Sequence, residues 1–464
     1  MVFASIEFLI IFLPLFFLIY ALVGPAYRNA TLLICSWIFY GWWSPEFLLL
    51  FMLLALFGWI GGLAIDRTKT TKTRGWTLAL FIGFNLSTLI WFKYANIFVE
   101  TLSSFGFMSA EWKHIILPIG LSFIVLQSIS YLIDVYRRTV VVDRSFVSFG
   151  AYQSMFVHLI AGPIIRYDWV KRELQSRPFD WPHFCQGARR FMIGMSMKVL
   201  IADTLSPIVD VAFALKSPSF SDAWLGCIAY SLQLFFDFSG YSAMAIGLGF
   251  MLGFRFPENF NSPYLASSIQ DFWRRWHISL SSWIRDYLYI PLGGNRKGVL
   301  RNNINLLLTM SIAGLWHGGD SWNFLLWGMA HGIALCGSKI WVDAGLPKPT
   351  LVLSHAITLL FVMLAWVIFR AHTFDGALAM YAGQFGFNQM ALSDGLTNMM
   401  RPVNWMALML GIICVIVPAL SGWFTSHINP LAQQLIKPWP IITFVLSFAL
   451  IASRGSVPFL YFQF

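Results

Sequence analysis

Between Asp271 and His331 the chain gathers polar and ionisable side chains able to do chemistry, set within an otherwise apolar sequence. The first group is Asp271-Phe-Trp-Arg-Arg-Trp-His-Ile-Ser-Leu-Ser-Ser-Trp-Ile-Arg-Asp-Tyr287. Wound as one helix at about 100° per residue, it puts Phe272, Trp276, Leu280, Trp283 and Tyr287 on one face. Arg274, His277, Ser281 and Arg285 then fall within about 80° of one another on the opposite face. A basic face opposite an aromatic one suits an amphipathic helix at a membrane interface, turned toward an anionic ligand or lipid headgroups. An ordinary surface-lying helix fits the periodicity equally well; a histidine among two arginines and a serine favours a site.

The second group is Asn302-Asn-Ile-Asn-Leu-Leu-Leu-Thr-Met-Ser-Ile-Ala-Gly-Leu-Trp-His317-Gly-Gly-Asp320. Its apolar part, 304–316, makes about 20 Å of helix, short of a hydrocarbon core of about 30 Å. A run that stops at His-Gly-Gly-Asp leaves His317 inside the membrane beside irregular backbone. Such backbone is tolerated at depth only where it is buried in protein or lines a cavity. A neutral histidine there can accept a proton, which suits a general base; a structural histidine bonded to a neighbouring helix is the alternative. The third group, 322–332, carries His331. On a continuous helix His331 would lie about 21 Å along the axis from His317, too far to share a metal. No HxH, HExxH or HxxxH spacing occurs, so no metal is expected. Gln233 and Asp237, four apart on one helix face, line a polar path or bond between helices.

Elements that span a bilayer must hold these groups. Of 464 residues, 58% are hydrophobic and only 11% charged, against about 25% charged in soluble domains. Both a multidomain soluble protein and a disordered chain are excluded. The net charge of +10 would suggest nucleic acid in a soluble protein; here basic residues belong to cytoplasmic loops and anionic headgroups, and no nucleic acid partner is expected. Five scattered cysteines form no CxxC pair. Walker A, Rossmann and GxSxG signatures are absent, which argues against ATP-driven transport, nicotinamide chemistry and a serine hydrolase.

Early apolar runs cover 3–22, 30–43, 47–64, 76–98 and 114–135, the first reading as a retained span rather than a signal peptide. Arg67, Lys69, Lys72 and Arg74 follow the third run, and Arg137, Arg138 and Arg144 follow the fifth. The positive-inside rule puts both loops in the cytoplasm, with Arg28 also inside and the N-terminus outside. Asp134, Arg137 and Arg138 read as headgroup anchors. The stretch 152–165, with His158 and Pro163, is too short to cross and reads as re-entrant or interfacial. Later runs cover 187–214, 222–254, 302–343, 351–370, 376–388, 403–423 and 438–453, for a total of about 11 to 14 helices. The expected fold is all-α and polytopic, one domain over 1–464 with N-terminal helices to 145, a catalytic core over 146–345 and C-terminal helices over 346–464. No internal repeat is visible, which weakens a transporter built from inverted repeats.

Together these motifs resemble the membrane-bound O-acyltransferase family. The resemblance rests on 271–281, on Arg285-Asp-Tyr-Leu-Tyr-Ile-Pro-Leu-Gly-Gly294 and on Gly314-Leu-Trp-His-Gly318. Supporting stretches are 118–123, 130–137, 161–166 and 236–242. Within the family the chain is similar to the bacterial branch typified by alginate O-acetyltransferases. That resemblance implies helices enclosing a tunnel, a catalytic histidine at His317 and a second functional position at His277, with a weaker implication for His331. It implies acetyl-CoA as cytosolic donor, whose phosphates Arg274, Ser281 and Arg285 would help to hold. It further implies a bacterial inner-membrane location, a periplasmic N-terminus and a periplasmic acetyltransferase or acetyl carrier that completes transfer. The polysaccharide synthase and secretion complex would be the wider partner, and alginate, cellulose or another exopolysaccharide the final acceptor. Teichoic acid D-alanylation in the same fold is the near alternative, and a polyprenyl-sugar flippase the alternative from another class.

Overall fold

The computed structural model describes residues 2–107, 112–160, 162–347, 349–427, 438–455 and 457–460. Among them there is no strand. Among the described residues, seven helices are long and apolar enough to cross a membrane: Pro45–Arg67, Thr71–Ser104, Trp181–Ala214, Phe220–Met251, Asn323–Asp343, Leu351–Arg370 and Pro402–Ala419. Glu7–Leu22 and Trp439–Arg454 are shorter apolar helices. The protein is therefore an all-α, multi-pass membrane protein, since helices satisfy their own backbone groups where no water can.

The chain forms two compact units. One comprises Met1–Phe191, Tyr241–Glu258 and Ile451–Pro458. In it the helices Pro45–Arg67 and Thr71–Ser104 pack on Leu121–Arg137, whose side chains are buried almost all round. Small residues permit the approach: a Cβ on Gly62 would sit 2.6 Å from the Tyr131 ring. The 152–165 stretch opens in the buried helix Phe146–Ser154 and goes on into the buried helix Phe156–Leu159, neither long enough to cross. Of the three expected headgroup anchors, Arg137 and Arg138 are exposed but Asp134 is buried, its backbone carbonyl accepting from Thr139 and Val140.

The other unit comprises Met192–Gly240, Asn259–Leu450 and Phe459–Phe464. The 302–343 run resolves into a helical hairpin, Val299–His317 and Asn323–Asp343, reversed across 318–322. Glycines let the two backbones touch: a Cβ on Gly314 would lie 2.2 Å from the Phe324 carbonyl oxygen, and one on Gly328 2.3 Å from that of Met310. The Trp181–Ala214 span carries a π-helical turn at Met197–Ala202, an irregularity that often marks function.

Candidate active site

The 271–287 segment is not one helix. It breaks into Ile269–Arg275, Ile278–Ile284 and a π turn at Arg285–Tyr289. The break falls at His277, whose φ of +43° is left-handed, a conformation uncommon outside glycine. Asn259 holds it: its carbonyl accepts from Ile278 N–H at 2.9 Å, and its Oδ1 accepts from the Ser279 amide and hydroxyl at 3.2 and 2.9 Å. The aromatic face survives the break, since Phe272, Trp276, Leu280, Trp283 and Tyr287 are all buried. The continuous basic face does not form. His277 turns inward and is fully buried, while Arg274 and Arg285 stay exposed. Arg285 Nε donates to Asp286 at 2.7 Å, and the Ser281 hydroxyl donates to the Trp276 carbonyl at 3.2 Å. Arg274 is the predicted donor-binding cation whose charge no carboxylate among the described residues offsets.

The hairpin reversal places His317 at the end of its helix, buried among aromatic rings. The centroids lie 5.0 Å from Trp316, 5.3 Å from Trp327, 5.5 Å from Phe369 and 6.3 Å from His277. Edge-on packing of Trp327 and Phe369, at 89° and 72°, fixes the plane of the imidazole. The axial separation of His317 and His331 on a continuous helix does not apply, because the chain folds back. Trp327 touches both rings, its centroid 4.7 Å from that of His331. His331 Nδ1 accepts from Trp273 Nε1 at 3.3 Å, which gives this histidine a packing partner of its own.

Both ring nitrogens of His277 are buried without a hydrogen-bond partner among the described residues. Buried polar atoms are nearly always paired, so an unpaired pair beside His317 marks where a ligand's polar atoms belong. Burial alone pushes the His277 pKa down to about 3, so its ring is neutral and able either to accept or donate. Two imidazoles with ring centroids 6.3 Å apart, in an aromatic box, suit proton transfer to and from a reacting oxygen or sulfur.

A further polar group escaped the sequence reading. Lys198, in the π turn, is buried and donates to Asp203 Oδ1 and Asp237 Oδ1, each at 2.8 Å. Asp237 Oδ2 also accepts from the Leu460 amide at 2.7 Å, so Asp237 bonds between elements rather than lining an open path. A lone lysine inside an apolar run was the available signal. Among the described residues no group of three His, Cys, Asp or Glu side chains could hold a metal ion.

All of the predicted site residues fall inside residues 137–381, the segment matched by the sequence model of the MBOAT, membrane-bound O-acyltransferase family. The chain belongs to the membrane-bound O-acyltransferase family. It is 45% identical to a probable alginate O-acetylase AlgI of Azotobacter vinelandii, over 92% of this chain and 87% of the relative. A peptidoglycan O-acetyltransferase of Helicobacter pylori is 35% identical over 83% of this chain and 80% of its own length. A teichoic acid D-alanyltransferase of Streptococcus thermophilus is more distant, 28% identical over 55% of this chain and 69% of the relative. This O-acyltransferase therefore shares nearly its whole length with the acetylases and about half with the D-alanyltransferase.

Proposed function

We propose that this membrane O-acyltransferase moves acetyl groups from cytosolic acetyl-CoA across the bacterial inner membrane for O-acetylation of an exopolysaccharide of the alginate or cellulose kind. The observation that carries the reading is the buried pairing of His317 with His277, 6.3 Å apart between ring centroids, inside the family-matched segment. His317 takes the proton from an acceptor hydroxyl, whose oxygen attacks the thioester carbonyl. The C–S bond breaks, and the proton returns to the departing CoA thiolate. His277, with two free ring nitrogens, orients the thioester or its leaving sulfur. Arg274 supports the CoA phosphates as an exposed, uncompensated cation; Arg285 contributes less, because Asp286 offsets its charge.

The immediate acceptor is a hydroxyl on a periplasmic acetyltransferase or acetyl carrier, which hands the group on within the polysaccharide synthase and secretion complex. The N-terminus lies on the periplasmic side. The near-full-length relationship to an alginate O-acetylase, against partial coverage of the D-alanyltransferase, supports acetyl over D-alanyl as the transferred group.

The test is transfer of labelled acetyl from acetyl-CoA across proteoliposomes with the co-expressed periplasmic partner inside. His317→Ala should lose at least about 100-fold in rate while retaining its elution profile in detergent. Unchanged transfer in that variant, or no transfer by the wild type with any partner, would overturn the reading.

A further inference from the structure

A cavity of about 740 Å³ lies within the unit that holds the N-terminus and shares no lining residue with the histidine site. Its volume falls in the range of small-molecule sites. Its lining combines the rings of Phe17, Phe184 and Phe250 with Arg28, Arg172, Arg177 and Arg255. Two carboxylates also line it, Glu173 and Asp180, and Asp180 is already paired with His183. The cavity lining is therefore both cationic and apolar.

Arg177 is the informative residue. It is only 7% exposed. Nε donates to the Tyr20 hydroxyl at 3.1 Å, and Nη1 donates to Asn29 Oδ1 and the Glu173 carbonyl, each at 2.8 Å. All three acceptors are uncharged, and its guanidinium carbon sits 4.6 Å from the Phe254 ring centroid. Nη2 of Arg177 and Nε of Arg28 are buried without a partner among the described residues. Arg28 is tied to the same place, because its Nη1 donates to the Arg177 carbonyl. A second cavity of about 410 Å³ shares Arg28 and Arg177 in its lining. Two neighbouring guanidinium groups, each with an unused N–H and neither paired with a carboxylate, call for an anion. Phosphate matches such forks better than a point acceptor does. Tyr27, Phe179 and Trp181 nearby in sequence are exposed aromatics, the residue type that sits at headgroup level.

We propose that this cavity binds one anionic phospholipid, with its phosphate on Arg28 and Arg177 and its acyl chain against Phe17, Phe184 and Phe250. A soluble phosphate compound would use the arginines but leave the phenylalanine rings idle.

The experiment is native mass spectrometry of the full chain released from nanodiscs of equal phosphatidylglycerol and phosphatidylcholine. Wild type should retain one phosphatidylglycerol with at least about fivefold preference, and Arg28→Gln should lose that preference. The double variant Arg172→Gln/Arg255→Gln removes only exposed arginines, so it reports even if Arg28→Gln misfolds; it should reduce retention about twofold. Equal retention of both lipids overturns the proposal, as does retention unchanged in the double variant and in a folded Arg28→Gln. Displacement of the lipid by millimolar CoA or inorganic phosphate also overturns it, assigning the arginines to a soluble phosphate ligand.

Discussion

His277 combines full burial, a left-handed backbone and two unpaired ring nitrogens. Asparagine tolerates that backbone, whereas a β-branched residue does not. His277→Val should therefore be less stable than His277→Asn by about 1–3 kcal/mol, read as a lower unfolding temperature in detergent. Both should lose acetyl transfer, so activity and stability separate the ring's role from the backbone's. Gly318 gives a second residue-scale test. A Cβ there would lie 1.9 Å from the Phe324 ring, which packs on Phe369, itself packed on His317. Gly318→Ala should lower turnover through a tilted His317 plane with donor affinity little changed, seen as a fall in kcat at constant KM. The sequence marked both histidines because ionisable groups are scarce in this territory. It could not mark the inward turn of His277: the aromatic set stays in phase across the break, and the holding group, Asn259, lies in the preceding loop, outside the helical periodicity.

At the scale of elements, Lys198 ties the π turn to Asp203 and to Asp237 on the Phe220–Met251 helix. Removing one member of a buried ion network strands the others. Lys198→Met should cost about 3–5 kcal/mol, and adding Asp203→Asn and Asp237→Asn should recover most of it, measured by thermal unfolding of purified protein. The network was illegible from spacing alone, because Lys198 meets its partners through a helix irregularity and a second span. The hairpin offers the contrasting case. Its His-Gly-Gly-Asp stop is local and was readable, but its direction was not; reversal depends on glycine contacts between helices. Gly328→Ala should overpack that contact by about 1–3 kcal/mol, visible as an early or aggregated elution peak.

For the whole molecule, apolar length carried most of the all-α, multi-pass architecture. The runs at 47–64 and 76–98 correspond to Pro45–Arg67 and Thr71–Ser104. The sequence understated their length because both helices continue beyond the apolar stretch into charged ends. The orientation proposed here makes the loop between them cytoplasmic. In a background lacking the native cysteines, Lys72→Cys should label with an impermeant maleimide only in inverted membrane vesicles. Labelling in intact spheroplasts would reverse the orientation.

The glycine contacts of the hairpin also bear on how the chain enters the bilayer. Val299–His317 begins with Arg301, Asn302, Asn303 and Asn305 and falls outside the helices apolar enough to cross, whereas Asn323–Asp343 meets that standard. The first helix therefore depends on the second, and the insertion machinery must release them as a pair. A nascent chain halted shortly after Trp322 emerges should leave the first helix extractable by alkali. One halted after the second helix has emerged should hold both, so biogenesis of the site around His317 becomes a single event late in the chain's synthesis.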